Sequence, residues 1–340
     1  MRKKKDKLMR AVVCNAFGPF ENMSVENISV PAPRAGQLAI NVKAAGVSFA
    51  QSLLVTEKYQ RKPPLPFVPG AEVAGTVAAI GDGVDGYDLG TPVYAAIDWG
   101  GFAELAIAKA MHCFSIPKNL SFEQATLFPI SYPTSYAALI WKAKIQESET
   151  VLVHGGAGAV GSAAIGIAKV RGAKVIATAG SSEKCKIAAN HGADLTINYT
   201  TENFRDIVKD WTGGKGVDVV IDPVGGDVGI NSLRAMGRES RLITLGFASG
   251  VIPKPPINLL LVKNMSIIGL NYGTYLGWSP GDDGSRYEDN LSVLHTDLCT
   301  MMANGMLAPK VSHRFPLAEF NTAMDTVLRR QSTGKVVLNM

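Results

Sequence analysis

The chain has 340 residues, 46% hydrophobic and 19% charged. That is enough for two cored domains and too apolar for a disordered chain, with no run near the roughly 18 apolar residues of a membrane span. The +5 net charge is local, because residues 1–10 hold six of the 34 bases and one of the 29 acids; the rest balances, so neither nucleic acid nor a membrane is an expected partner.

Residues 1–8 read as a disordered basic tail, either a native extension or an upstream start with Met9 as the natural one. A secretory signal would continue into a 7–15-residue apolar segment; none follows, and cytoplasm is the expected location. Residues 9–125 read mainly as β. A first strand at Ala11-Val12-Val13-Cys14 is followed by short apolar runs, Leu38–Val42, Val73–Val77 and Pro92–Ala95, between turn signals such as Gly81-Asp82-Gly83. This pattern suggests a small barrel or rolled sheet. The cluster Pro63-Pro64-Leu65-Pro66 has few backbone donors and reads as an ordered loop.

From about residue 126 strand-like runs alternate with helix-length segments. The strands are Val151–His154, Lys174–Thr178, Leu195–Asn198, Val217–Ile221 and Arg241–Leu245, with helices such as Ala159–Arg171 and Ser182–His191. Alternation of this kind predicts a doubly wound parallel sheet buried on both faces. After about residue 270 it stops. Gly273–Asn290 reads as a mobile surface loop, followed by a helix over Tyr287–Asn304 and a closing strand over Lys335–Leu338. The four cysteines, Cys14, Cys113, Cys185 and Cys299, lie far apart with no CxxC pair, which argues against a disulfide framework or a four-cysteine zinc lobe.

The run Val151-Leu152-Val153-His154-Gly155-Gly156-Ala157-Gly158-Ala159-Val160-Gly161 leaves a strand and opens a helix. Gly156-x-Gly158-x-x-Gly161 in that context lets the backbone approach a pyrophosphate at a helix N-terminus. NAD sites of this kind carry Asp or Glu about 20 residues on, against the adenosine ribose. Here the second strand ends in Ala179-Gly180-Ser181, with Lys184 one helical turn beyond. A small residue, a hydroxyl and an ammonium accept a 2′-phosphate that a carboxylate would repel, so the cofactor reads as NADPH. Glu183 is the one acid beside them.

The order of segments, together with Ala45-Gly46-Val47-Ser48-Phe49-Ala50-Gln51, Pro64–Gly75 and the glycine loop, resembles the medium-chain dehydrogenase/reductase superfamily, and within it the zinc-free NADPH:quinone oxidoreductase branch. The resemblance covers residues 9–340. It implies a GroES-like β-barrel catalytic domain over 9–125, completed by 271–340, and a Rossmann domain over 126–270. Zinc-dependent relatives carry Cys where Ser48 stands and His where Ala71 stands; a catalytic zinc needs three protein ligands, so none is expected, and Glu72 reads as a structural hydrogen-bonding residue. Without a Lewis acid, hydride transfer to a quinone or a conjugated enone is the chemistry implied.

By the same resemblance Thr134 lies beside the nicotinamide, Gly158, Ala159 and Val160 form the pyrophosphate loop, and Ser181, Lys184 and Tyr199 surround the 2′-phosphate. Gly246 and Phe247 flank the nicotinamide, and Ser48 and Gln51 border its substrate side. A helix N-cap is the alternative for Thr134, plain packing for Tyr199, and a solvated helix position for Lys184. The quinone reductases usually have Asn where Ser48 stands and often Asp where Gln51 stands, which leaves the acceptor open. Tyr59 matches a proton-donating tyrosine of 2-enoyl thioester reductases, or it is a loop tyrosine packed near Pro63. Three functions follow: a quinone or enone reductase, a 2-enoyl thioester reductase with Tyr59 as acid, or an NADPH-binding protein of low turnover. Relatives extend their sheet across a dimer at the Ser266–Leu270 region, which implies a homodimer.

Overall fold

A computed structural model describes residues 7–340. The first six residues of the expected tail lie outside the described residues. Leu8 already belongs to β1 (Leu8–Val13), one residue before Met9, and pairs with Ser29 of β2 (Ser24–Ser29) in an antiparallel ladder.

Next come β3 (Gln37–Val47), α1 (Phe49–Val55), β4 (Glu72–Ile80), β5 (Pro92–Ala96), β6 (Leu105–Lys109), β7 (Cys113–Ser115) and α2 (Phe122–Ala125). β3 organises this half. One of its edges takes β4 along most of its length, while the other is shared, with β6 at residues 37–41 and a C-terminal strand at 44–47. Register shifts at Ala39/Ile40 and Val42/Ala44 roll the sheet, as bulges do. Gly75 sits at that bend because a Cβ there would collide with the Asn41 carbonyl. Val12, Leu38, Ile40, Val73, Val93 and Phe102 fill the interior.

Then follow α3 (Ser131–Tyr136), β8 (Thr150–His154), α4 (Ala159–Val170), β9 (Lys174–Ala179), α5 (Ser182–Asn190), β10 (Leu195–Asn198), α6 (Phe204–Trp211), β11 (Val217–Asp222), α7 (Gly226–Ala235), β12 (Met236–Thr244), α8 (Ile257–Lys263) and β13 (Ser266–Gly269). The sheet is parallel throughout, in the order β10-β9-β8-β11-β12-β13. Its order reverses between β8 and β11, the position at which open α/β sheets bind ligands. β12 starts five residues before the expected Arg241, because Met236 already pairs with Val217 across an irregular stretch. No described helix is long and apolar enough to cross a membrane.

The chain closes with α9 (Glu288–Ala303), β14 (Val311–Pro316), α10 (Phe320–Leu328) and β15 (Lys335–Asn339), and β15 is the strand that pairs with β3. Two compact units result. One comprises the chain up to Ile130 with Gly273–Cys299 and Lys310–Met340; the other comprises Ser131–Tyr272 with Thr300–Pro309. Residues 300–309, inside the expected C-terminal return, therefore cluster with the parallel-sheet unit, where Leu307 packs on Gly166. The expected surface loop at 273–290 contains two 3-10 turns, Tyr272–Thr274 and Ser285–Tyr287, with Gly277 and Gly284 packed back to back between them.

Candidate active site

In the Ser131–Tyr272 unit, β8 delivers the glycine loop. Gly155 turns the chain at φ +65°, the Gly156 N–H donates to the Thr178 carbonyl at 3.0 Å, and the Gly158 N–H donates to the Gly155 carbonyl at 2.9 Å. Each glycine has its own reason. A Cβ on Gly156 would lie 2.9 Å from that of Ala177, and one on Gly161 would strike the Gly155 carbonyl, so both let α4 close on the sheet. Gly158 has room, its nearest neighbour being 3.4 Å away. It is the N-cap of α4 and no side chain caps the helix. The first N–H groups of that helix, from Ala159 to Gly161, have no intrahelical acceptor and suit a pyrophosphate.

At the far end of β9 the Ser181 hydroxyl accepts from the Lys184 N–H at 3.2 Å and so caps α5. The O–H proton remains available to donate. The Tyr199 N–H donates to the Ala179 carbonyl at 3.1 Å, and the phenol lies against Gly180, where a Cβ would come within 2.7 Å of its oxygen. Ser181, Lys184 and Tyr199 therefore gather around the ends of β9 and β10, with Tyr199 42% exposed. Glu183 is exposed on α5.

Thr134 lies inside α3, which rules out the N-cap role, and α3 continues into a π-helical turn over Ala137–Lys142. Such turns are frequent at functional sites. The neighbouring Ser135 hydroxyl bonds the Val160 carbonyl at 2.8 Å and ties α3 to the first turn of α4. Gly246 and Phe247 follow β12. The Phe247 ring packs on Gly225 at φ +68°, where Asp222 accepts from the Val224 and Gly225 N–H groups at 2.8 and 2.9 Å.

Sequence reading missed His154, which is fully buried behind the glycine loop. Its Nε2 meets the Ser232 hydroxyl at 2.7 Å and its Nδ1 the Thr178 hydroxyl at 2.9 Å. Ser232 donates its own proton to the Val228 carbonyl, so Nε2 carries the histidine proton and Nδ1 accepts from Thr178. Burial pushes the His154 pKa down to about 4, against the pull of Asp222, and the ring is neutral. The clue was a histidine closing an otherwise apolar strand.

In the other unit the Gln51 carbonyl accepts from the Ser48 N–H at 2.8 Å and its amide donates to the Gly46 carbonyl at 3.1 Å, so this buried side chain braces the start of α1. Ser48 is half-buried as the N-cap of that helix. Tyr59 is half-buried; burial raises its phenol above the ordinary 10 while the Arg61 charge opposes, so at neutral pH it holds its proton. Glu72 is fully buried and ion-paired with Lys335, a partner with no motif to betray it, and a side chain on Gly46 would collide with both. With Ala71 lacking any donor and Glu72 already neutralised, the residues around Ser48 do not fit a catalytic zinc. Among the described residues no cluster of three or more His, Cys, Asp or Glu could hold a metal.

A GroES-like half and a parallel-sheet half with a glycine-loop helix define a dehydrogenase/reductase. Residues 34–118 match the alcohol dehydrogenase GroES-like domain and residues 159–282 the zinc-binding dehydrogenase family. The chain belongs to the medium-chain dehydrogenase/reductase superfamily. It is 38% identical over 335 residues to quinone oxidoreductase-like protein 2 of Mus musculus, covering 97% of this chain and 92% of that one. To the quinone oxidoreductase of Homo sapiens it is 33% identical, with 98% of each chain covered. The structure of Escherichia coli quinone oxidoreductase complexed with NADPH superposes with a TM-score of 0.88 at 27% identity, covering 97% of this chain and 100% of that one.

Proposed function

We propose that this member of an oxidoreductase superfamily is an NADPH-dependent, zinc-independent reductase of quinones or conjugated enones. The observation that carries the reading is the end of β9, where no carboxylate stands and Ser181, Lys184 and Tyr199 gather instead. A 2′-phosphate suits a hydroxyl, an ammonium and a phenol, each able to donate a hydrogen bond. The uncapped α4 N-terminus with Gly158, Ala159 and Val160 would hold the pyrophosphate, and Thr134, Gly246 and Phe247 of the same unit would line the nicotinamide. NADPH supplies the hydride when bound; this chain's residues orient it, keep water away and manage the charge left on the acceptor. An electron-poor acceptor spreads that charge into oxygen and needs no Lewis acid, which agrees with Ser48 and Ala71 at the two ligand positions. The same reading includes a homodimer built through the β13 edge, and the quinone oxidoreductase relatives favour a small-molecule acceptor.

The experiment is a screen of quinones, enals, enones and enoyl thioesters that follows NADPH absorbance, with and without a chelator. Turnover with quinones or enones, untouched by chelation, is expected. No turnover with either class, or one stoichiometric zinc per chain, would overturn the reading.

A second reading rests on Tyr59, whose protonated, half-buried phenol can act as an acid. Reduction of a 2-enoyl thioester leaves an enolate carbon that must be protonated, and a positioned acid contributes about 10²–10⁴-fold. For Tyr59→Phe we expect less than a tenfold fall in quinone reduction, about 1.36 kcal/mol in the barrier. A hundredfold loss of kcat on a thioester that the parent reduces well, with NADPH affinity unchanged, would make the thioester the substrate.

A further inference from the structure

Two residues beyond Tyr59 stands Arg61, which no motif singles out. Its guanidinium lies over the ring of Trp278, 4.1 Å from the centroid, with Trp99 at 5.8 Å. Nη1 donates to Asp98 Oδ1 at 2.5 Å and Nη2 to the Asp98 carbonyl at 3.4 Å, whereas the Nε–H is buried without an acceptor. The side chain is 14% exposed, that of Asp98 45%. Burial pulls the guanidinium pKa below its usual range, Asp98 opposes, and the charge reaches the Tyr59 phenol.

If it only pinned the Trp278 segment, this would be a costly clasp. Apolar packing of the same volume does as well as a charge taken out of water. A largely buried cation, backed by two aromatic faces, is instead what a developing oxyanion requires, because the charge is stronger there and already oriented.

We propose that Arg61, presented by Asp98 between Trp99 and Trp278, is the oxyanion-stabilising residue for a planar conjugated-carbonyl acceptor. The inference rests on the reductase reading and names the charge-bearing group of that site. Hydride arrival forms a C–H bond on the acceptor as one breaks on the dihydronicotinamide, and the acceptor's π pair moves onto its oxygen. Arg61 holds that negative oxygen until Tyr59 or water delivers a proton; Arg61 itself stays protonated throughout.

The test compares 4-nitrophenolate with nitrobenzene, one ring with and without an oxyanion. Each is titrated at pH 9 without nucleotide and followed by tryptophan fluorescence. The parent is expected to bind the phenolate at least tenfold more tightly. Arg61→Gln should abolish the preference and Arg61→Lys should retain part of it. Asp98→Asn, which removes the competing carboxylate, should strengthen phenolate binding. A merely structural clasp predicts the opposite for Asp98→Asn, since both variants would then weaken both ligands alike; that result, or an unchanged preference in Arg61→Gln, overturns the proposal. Should Arg61→Gln fail to fold, the Lys and Asn variants decide the matter by themselves.

In turnover with a quinone, Arg61→Gln should lower kcat by about a hundredfold, the scale of one lost oxyanion donor. Quinone turnover that survives in Arg61→Gln within threefold refutes the subsite and leaves the reductase reading intact. Arg61-dependent phenolate binding in a chain that reduces no quinone or enone supports the subsite and refutes that reading.

Discussion

On the proposed reading, Lys184 supplies the nucleotide preference through one ammonium group beside a capping hydroxyl. Lys184→Ala should narrow the gap between NADPH and NADH affinity by roughly 1–3 kcal/mol, the range of a lost charge-assisted hydrogen bond. Equilibrium binding of the two nucleotides checks this, and an equal or better NADH affinity in the parent would sink the assignment. Lys335 and Glu72 pose a different problem. Both are buried to within 2% and neutralise each other across Gly46. Lys335→Met leaves a buried carboxylate unpaired and should cost about 3–5 kcal/mol in urea unfolding. The double variant Glu72→Leu/Lys335→Met removes both charges and should recover most of that loss. A double variant no more stable than the single one would show that the pair contributes more than mutual neutralisation.

At the scale of elements, the outer edge of β13 has no partner strand among the described residues. Beside it in the chain, α8 buries none of its residues: Ile257 is 71% and Leu261 78% exposed, and Ile252 ahead of it 70%. An open edge next to apolar side chains invites pairing with a second copy. Light scattering should therefore give a dimer mass for the parent and a monomer mass for Leu261→Asp/Ile267→Lys. A monomeric parent at micromolar concentration would count against the dimer. α4 illustrates how two glycines serve packing and a third does not, since Gly156 and Gly161 let helix close on sheet while Gly158 has room for a Cβ.

For the whole molecule, the buried histidines set the response to acid. Burial lowers His112 and His154 to about 4 and His295 to about 3. The unfolded chain binds these protons near pH 6.5. Stability is complete above that value and falls with pH as the unfolded state takes up protons that the folded state refuses. At pH 5 each histidine withdraws about 2 kcal/mol. His112 and His295 act in the barrel unit, His295 within hydrogen-bond reach of Tyr94 at 3.1 Å, and His154 acts in the nucleotide unit. Calorimetry from pH 7.5 to 5 should show both units losing melting temperature below about 6.5, the barrel unit more steeply. A flat profile would mean that these rings are already protonated or already solvated in the native state.

Periodicity and turn chemistry are local, and what depends on them was legible in the sequence. β10 and the starts of α4 and α5 stand where apolar spacing and glycine predict them, because a parallel sheet buried on both faces demands continuous apolar strands. The glycine loop was legible for the same reason: strand, turn and helix N-terminus are contiguous. Contacts between distant segments were not. Chain order does not show the Gln51 amide reaching back to Gly46, and Glu72 looked like a lone carboxylate until β15 brought Lys335 to it across β3. Arg61 met its partners only when Asp98 and Trp278 arrived from 37 and 217 residues away. The sequence by itself determined the elements, the nucleotide loop and the missing zinc ligands, since each is set by neighbours in the chain or by residue type. Tertiary structure alone decided which charges are paired and which rings are neutral, because burial and partnership depend on groups that the chain brings together only when it folds.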